Sequence, residues 1–421
     1  RRGYPSVFPI RLECRGRFDR EAFERAFKLA HERHPFLSAR IDRDRKGWPI
    51  WVAGDPAPIC WTNDSASSNG ELAPSTPPAR LQAYVGQDAD KTVLSFVFHH
   101  VAVDGMGAFQ FVSDLMVAYA HECSGDAGPP PWRLLNRELL RDRDGHTLLN
   151  RRIKLIDLIR AARLSLRLQF RRPAVVSEHD KRPPAGDHAG SALDFLIHTL
   201  TEHETAELAR VARKLSVRVH DLLIRDYFLM LERWNRGTSE SRRPIRICMP
   251  ANLRRKKDYR MPAANVFSFA FLTRRSGDCE DRARLLESIR GEMAAIKRGK
   301  WGLYYEAGLR FFCLWPSLLR WSLNRKWPFA TAVFSNLNAG FDHVPLPWRD
   351  GRRTAGELVV ESGYGAGPIR PETRVAVAIH SYAGRMSISV RCDQHAFGPQ
   401  QQRAILQAYL DQLKTTTDSE S

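Results

Sequence analysis

One stretch constrains the chain more than any other: Val93-Leu-Ser-Phe-Val-Phe-His99-His100-Val-Ala-Val-Asp104-Gly105-Met-Gly107. An apolar, β-branched and aromatic run ends abruptly in two histidines. Asp104 follows His100 at the fourth position, and a glycine comes next. From Ala108 to Tyr119 the apolar residues recur at helical spacing. The pattern predicts a buried strand, a tight loop and the start of a helix.

The chemistry of this junction is that of a general base. Histidine takes up and returns a proton near neutral pH. Such a base must be held in one orientation, and a neighbouring carboxylate does that directly or by fixing the loop. Gly105 and Gly107 allow the backbone to turn sharply and to approach a ligand closely. Two plainer readings compete: strand-end histidines without a role, and metal ligands. A metal site needs three or four ligands at known spacings. The sequence has no CxxC, no HExxH and no second histidine cluster, so no metal is expected.

The HHxxxDG pattern of His99, His100, Asp104 and Gly105 resembles the signature of the chloramphenicol acetyltransferase-like acyltransferase superfamily. That group includes wax ester synthases, alcohol acetyltransferases, plant BAHD acyltransferases, polyketide-associated acyltransferases and the condensation domains of peptide synthetases. The resemblance implies an α/β fold of two chloramphenicol-acetyltransferase-like lobes, each a mixed sheet with helices, with a substrate tunnel between them. It implies that His100 is the base and that Asp104 pairs with an arginine.

Weaker segments extend the resemblance over nearly the whole chain. Arg33-His34-Pro35-Phe36-Leu37-Ser38-Ala39-Arg40 is similar to an early family segment, and Arg40 is the expected partner of Asp104. Asn252-Leu253-Arg254 resembles the family's NLR segment. Asn265, after Ala264, resembles its GN position. Phe334-Ser335-Asn336-Leu337-Asn338-Ala-Gly340 resembles the segment that faces the motif histidine across the tunnel. Acyl transfer passes through an oxyanion that needs a preorganised donor, and Ser335 or Asn336 would supply it. The alternative there is a plain strand-end turn. The plant-type DFGWG motif is absent, which argues against the BAHD branch.

The expected organisation is an N-terminal lobe over 1–172, a crossover linker over 173–190 and a C-terminal lobe over 191–421. The linker segment is polar and rich in proline and glycine. Before it, residues 151–172 read as a basic amphipathic helix, with Arg152, Arg160, Arg163, Arg167 and Arg171 recurring on one side. This is a solvated face, or a contact for an anionic membrane surface or a carrier protein. Trp301 to Trp327 is aromatic-rich and reads as core helices, or as the wall of an acyl tunnel or a face for lipid entry. The final helix is expected over Gln400 to Leu413, with the last eight residues a polar tail.

Length and charge bound the partners. The chain has 421 residues and a formal net charge of +18. That charge suits coenzyme A phosphates, an acidic acyl carrier protein or anionic lipid headgroups. No zinc finger, RNP motif or helix-turn-helix pattern is present, so nucleic acid is not an expected partner. The seven irregularly spaced cysteines point to reduced thiols and a cytoplasmic setting, peripheral to a membrane if the basic helix docks there. No uncharged apolar run reaches membrane-spanning length. The chain opens on arginine with a strand close behind, which points to native residues preceding it.

The expected function is acyl transfer from a thioester, carried on coenzyme A or on a phosphopantetheinyl carrier, to a hydroxyl or amine acceptor. No permanently bound cofactor is expected. By family analogy the first expectation is a hydroxyl on a small or lipid-like acceptor. The competing reading is a binding module of the same fold that docks an acyl carrier or an anionic membrane.

Overall fold

The computed structural model describes residues 4, 6–62, 81–146, 155–178, 194–298, 301–315, 317, 320–321, 324, 327–337 and 344–420. In chain order, β1 (Val7–Arg15), α1 (Arg20–Arg33), β2 (Arg40–Arg43), β3 (Pro49–Val52) and β4 (Cys60–Thr62) come first. β5 (Gln82–Asp88), β6 (Lys91–His99), α2 (Gly105–Ser124) and α3 (Leu155–Phe170) follow. Next are β7 (Leu196–Thr199), α4 (Glu202–Lys214), α5 (Val219–Asn235), β8 (Ile245–Asn252), β9 (Phe267–Arg274), α6 (Arg282–Arg298) and α7 (Trp301–Cys313). The remaining elements are β10 (Ala332–Asn336), β11 (Trp348–Arg349), β12 (Arg352–Ala355), β13 (Leu358–Gly365), β14 (Val375–Tyr382), β15 (Arg385–Cys392) and α8 (Pro399–Glu420).

The first lobe is a seven-stranded sheet in the order β11-β12-β13-β1-β6-β5-β4. β6 lies between antiparallel neighbours β1 and β5. Both faces of it are covered, which is why Thr92 to Phe98 reads as a continuous apolar run and not as an alternation. Phe96 and Phe98 pack against Phe111 of α2, which meets Phe27 of α1, in a buried cluster that also holds Phe23. Burying a phenylalanine in this way stabilises by roughly 1.5–3 kcal/mol. α1 starts where Asp19 accepts a hydrogen bond from the Ala22 amide at 2.9 Å. Its apolar face is Ala22, Phe23, Ala26, Phe27 and Ala30.

The second lobe is a six-stranded sheet in the order β7-β15-β14-β10-β8-β9. Tyr227 and Phe228 of α5 and Tyr409 of α8 share a core with Phe334 of β10. β10 runs parallel to both β8 and β14, so it is an interior strand. It ends in Ser335 and Asn336.

The division of the chain differs from the expected one at three places. β11, β12 and β13 come from residues after 344, yet they complete the first lobe's sheet, with Ile10 opposite Gly365 and Arg15 opposite Val359. Without β13, the free edge of β1 would leave a row of backbone N–H and C=O groups unpaired. α3 packs on the second half: Leu168 lies against Cys248 and Phe271, and Arg246 donates to the Arg171 carbonyl at 2.9 Å. The described part of the expected linker, 173–178, is tied to the second lobe as well. Asn235 there donates to Val175 O at 2.9 Å and accepts from Ser177 N at 3.0 Å. The rest of the expected linker, together with residues 151–154 and Asn338 to Gly340, lies outside the described residues.

The expected polar tail is helix instead. α8 continues to Glu420 because Arg225, only 1% exposed, needs partners there. It donates to Glu420 at 2.8 Å and to Thr416 at 2.9 Å. Removing residues 414–420 leaves that guanidinium buried and short of acceptors, an expected loss of roughly 3 kcal/mol measurable by chemical denaturation.

Candidate active site

β6 delivers His99 and His100 to the surface between the lobes. His99 turns back on the loop and accepts a hydrogen bond from the Val101 amide through Nδ1 at 3.2 Å. His100 is tied at its backbone, where its amide donates to the Ser6 carbonyl at 2.7 Å. Its ring lies between Phe8 and Phe267, with centroids 4.8 and 4.9 Å away. One phenylalanine comes from each lobe. Burial among these rings pushes the His100 pKa below its ordinary value, and the Arg370 charge adds to that. A hydrogen bond to its own backbone and the Asp104 charge oppose the shift.

Asp104 holds the loop, not the ring. Its Oδ1 accepts from the Gly107 amide at 2.9 Å and caps α2. Its Oδ2 accepts from Arg254 Nη1 and from the Val266 amide, both at 2.7 Å. Asp104 and Arg254 are each 4% exposed at the side chain. The arginine is therefore Arg254. Arg40, the expected partner, is exposed on the β2–β3 hairpin opposite Val52. That hairpin is a separate two-stranded sheet.

The remaining motif residues of the second half gather on the same loop. Asn252 Oδ1 accepts from the Arg254 amide at 3.0 Å and so shapes the turn that presents the guanidinium. Arg254 Nη2 donates to the Ala264 carbonyl at 2.7 Å. Asn265 donates through Nδ2 to the His100 carbonyl at 2.5 Å. The segment 252–266 thus clasps the HHxxxDG loop from the opposite lobe. Asn265→Ala is expected to lower activity about tenfold by loosening the His100 backbone, with a stability loss near 1 kcal/mol. Rate and melting measurements on one preparation would check both.

The two motif glycines serve this clasp and not a turn. A Cβ on Gly107 would lie 2.8 Å from the Ala264 carbonyl oxygen and 2.6 Å from a Val103 methyl carbon, and one on Gly105 would lie 2.9 Å from a Leu337 methyl carbon. Gly105 also lines the cavity that holds His100. Gly107→Ala is expected to destabilise by about 1–3 kcal/mol, read from the denaturation midpoint, because the blocking atom is backbone.

A cavity opens between the lobes with His100 on its wall. Phe8 and Ile10 line it from the first lobe; Phe269, Phe271, Val333 and Ser335 line it from the second. Ser335 and Asn336 both border this cavity with His100. The Asn336 amide donates to His220 Nδ1 at 2.9 Å. Burial, with help from the Lys297 and Arg218 charges, pushes the His220 pKa down to about 4, so Nδ1 keeps its lone pair. Ser335 is 8% exposed, and its hydroxyl has no hydrogen-bond partner among the described residues. Among those residues, no group of three or more His, Cys, Asp or Glu is placed to hold a metal ion.

No protein-family model matches the chain, and no curated protein matches it by sequence. Solved structures do match it. The first condensation domain of the calcium-dependent antibiotic synthetase, in complex with a substrate analogue, has a TM-score of 0.70 at 15% identity, over 99% of this chain and 92% of that one. The chain has the condensation-domain fold. Polyketide synthase associated protein 5 from Mycobacterium tuberculosis shares this fold, with a TM-score of 0.66 at 18% identity over 99% and 95% of the two chains. So does a variant of the starter condensation domain of rhizomide synthetase, in complex with C8-CoA, at 0.69 and 14% over 99% and 90%.

Within this condensation fold, several residues around the site carry no sequence signal. His220 lies at the start of α5, remote from any motif, and only the fold brings it behind Asn336. Phe8 and Phe267 look like ordinary strand residues. Arg370 lines the cavity and sits 5.7 Å from the Phe269 ring centroid. It follows β13 in a stretch with no motif.

Proposed function

We propose that the chain is an acyltransferase that moves an acyl group from a thioester, on coenzyme A or a phosphopantetheinyl carrier, to a hydroxyl or amine acceptor. The observation that carries this reading is a histidine of depressed pKa on the wall of a largely apolar cavity between two lobes, its loop clamped by a buried aspartate–arginine pair. The His100 imidazole takes the acceptor proton as the acceptor oxygen or nitrogen attacks the thioester carbonyl. The tetrahedral oxyanion then collapses, the C–S bond breaks, and the leaving thiolate takes the proton back from the imidazolium. The uncommitted hydroxyl of Ser335 supports it as the oxyanion donor, with Asn336, oriented by His220, beside it. Asp104 acts through the loop as a positioning residue.

The pH dependence follows from the sign of the shift. A base works when unprotonated, and a depressed pKa keeps His100 neutral at pH 7. The rate is expected to be flat above neutrality and to fall only below the ordinary histidine range. A pH–rate profile with its acid limb centred above pH 7 would contradict this. The same direction acts on stability: burial lowers His220 and His380, each to about 4, and both must charge as pH falls. Their contribution is complete above about pH 6.5 and is lost towards pH 4.

A further inference from the structure

The outer face of α3 and the segment that follows α7 carry many of the exposed large apolar side chains among the described residues. On α3, Ile156, Ile159, Leu166 and Phe170 are exposed, Phe170 by 64%. Arg160, Arg163 and Arg167 are exposed with them, and the helical spacing puts all seven on one stripe. After α7 the surface continues through Leu314, 76% exposed, with Trp315, Trp321 and Trp327 also exposed. The Phe170 and Trp321 ring centroids are 6.4 Å apart, so the two parts form one patch.

The charge on this patch is one-sided. The only acid of α3, Asp157, points inward and accepts from the Tyr304 hydroxyl at 2.7 Å. Glu306 of α7 is engaged by Arg310. Arg160, Arg163, Arg167 and Arg171 form no ion pair among the described residues. Large tryptophan and leucine side chains ringed by arginines suit the boundary of an anionic bilayer. Indoles settle at headgroup depth, and guanidiniums bind lipid phosphates. An acidic carrier protein would satisfy the arginines but would leave the exposed indoles and Leu314 unexplained.

The inner sides of the same helices reach the cavity. Leu168 of α3 and Tyr305 of α7 pack with Cys248, Phe271 and Ala330. Tyr305, Cys248, Phe271 and Ala330 line the cavity that contains His100. The two helices therefore lie between the apolar end of that cavity and the patch. We infer that the α3–α7 face docks on an anionic phospholipid surface and that an acyl-chain substrate enters the cavity from that side. The docking stands on the patch alone; the substrate route rests on the acyl-transfer reading.

Vesicle co-sedimentation tests it. The full chain would be mixed with vesicles of phosphatidylcholine alone or of phosphatidylcholine with phosphatidylglycerol. Binding to the anionic vesicles is expected, with little to the neutral ones. Each arginine near such a surface strengthens partitioning about fivefold, so R160Q/R163Q/R167Q is expected to bind roughly a hundredfold more weakly. L314S/W315S, which leaves the charge unchanged, is expected to lose binding as well. Failure of the wild-type chain to bind anionic vesicles, or equal binding by all three proteins, would overturn the inference. So would capture of an acidic acyl carrier protein that the arginine variant loses while vesicle binding is unaltered. Transfer from a water-soluble short-chain acyl-CoA is expected to be the same in all three. If wild type lacks that transfer yet binds vesicles, the acyl-transfer reading fails and the docking stands.

Discussion

Replacing His100 with alanine is expected to lower kcat for acyl transfer about a thousandfold, with the fold intact. A positioned general base contributes about 10²–10⁴ in rate, and among the described residues that line the cavity His100 is the only histidine. His220, also near the second lobe's site segment, points its Nδ1 at Asn336. Residual activity comes from binding and from the oxyanion donor, so the loss is large but finite. The His100 loop is held by Asp104 and Asn265, not by the imidazole. The thermal midpoint is therefore expected to move by no more than a few degrees. His100→Gln restores volume without basicity and is expected to be equally slow. Steady-state kinetics and melting curves on the two variants check this together. A kcat within tenfold of wild type would remove His100 from the chemistry.

The largest stability effect is expected from Asp104→Ala. Three donors lose their acceptor at once: Gly107 N, Val266 N and Arg254 Nη1. Stranding a buried guanidinium costs about 3–5 kcal/mol, and loss of a helix cap about 1 kcal/mol more. The sign is reversed for the pair. Removing Arg254 as well takes away the stranded charge, so D104A/R254A is expected to be more stable than D104A alone, a non-additivity of about 1–3 kcal/mol. Urea unfolding of the four proteins reads it directly. Because Asp104 binds segment 252–266 to the HHxxxDG loop, D104A is also expected to lose activity even where it remains folded. Additive losses would mean that the ion pair contributes nothing to joining the lobes.

Local patterns in the sequence carry the strand, loop and helix around His100, because a buried strand and a capped helix are set by neighbours within about ten residues. They also carry Asn252, Arg254 and Asn265 as residues of interest. Partnership is another matter. Arg40 and Arg254 are equally plausible as letters; only the placement of segment 252–266 across the lobe boundary puts Arg254 at 2.7 Å from Asp104. The same limit explains the sheet. β11 and β12 are short and separated only by Asp350 and Gly351, and the pairing of β13 with β1 is long-range, with no local signature. It also explains α8: a sequence of threonines and acids reads as a tail until Arg225, nearly 200 residues earlier, demands acceptors.

The most direct test of the account is free-thiol release from acyl-CoAs and acyl-loaded carrier proteins of short to long chain, with and without mixed alcohol and amine acceptors. Wild type and His100→Ala would be run side by side. Release is expected to need an acceptor, to favour particular acyl chains and to fall about a thousandfold in the variant. Silence with every donor, or release that is indifferent both to acceptor and to His100, would contradict it.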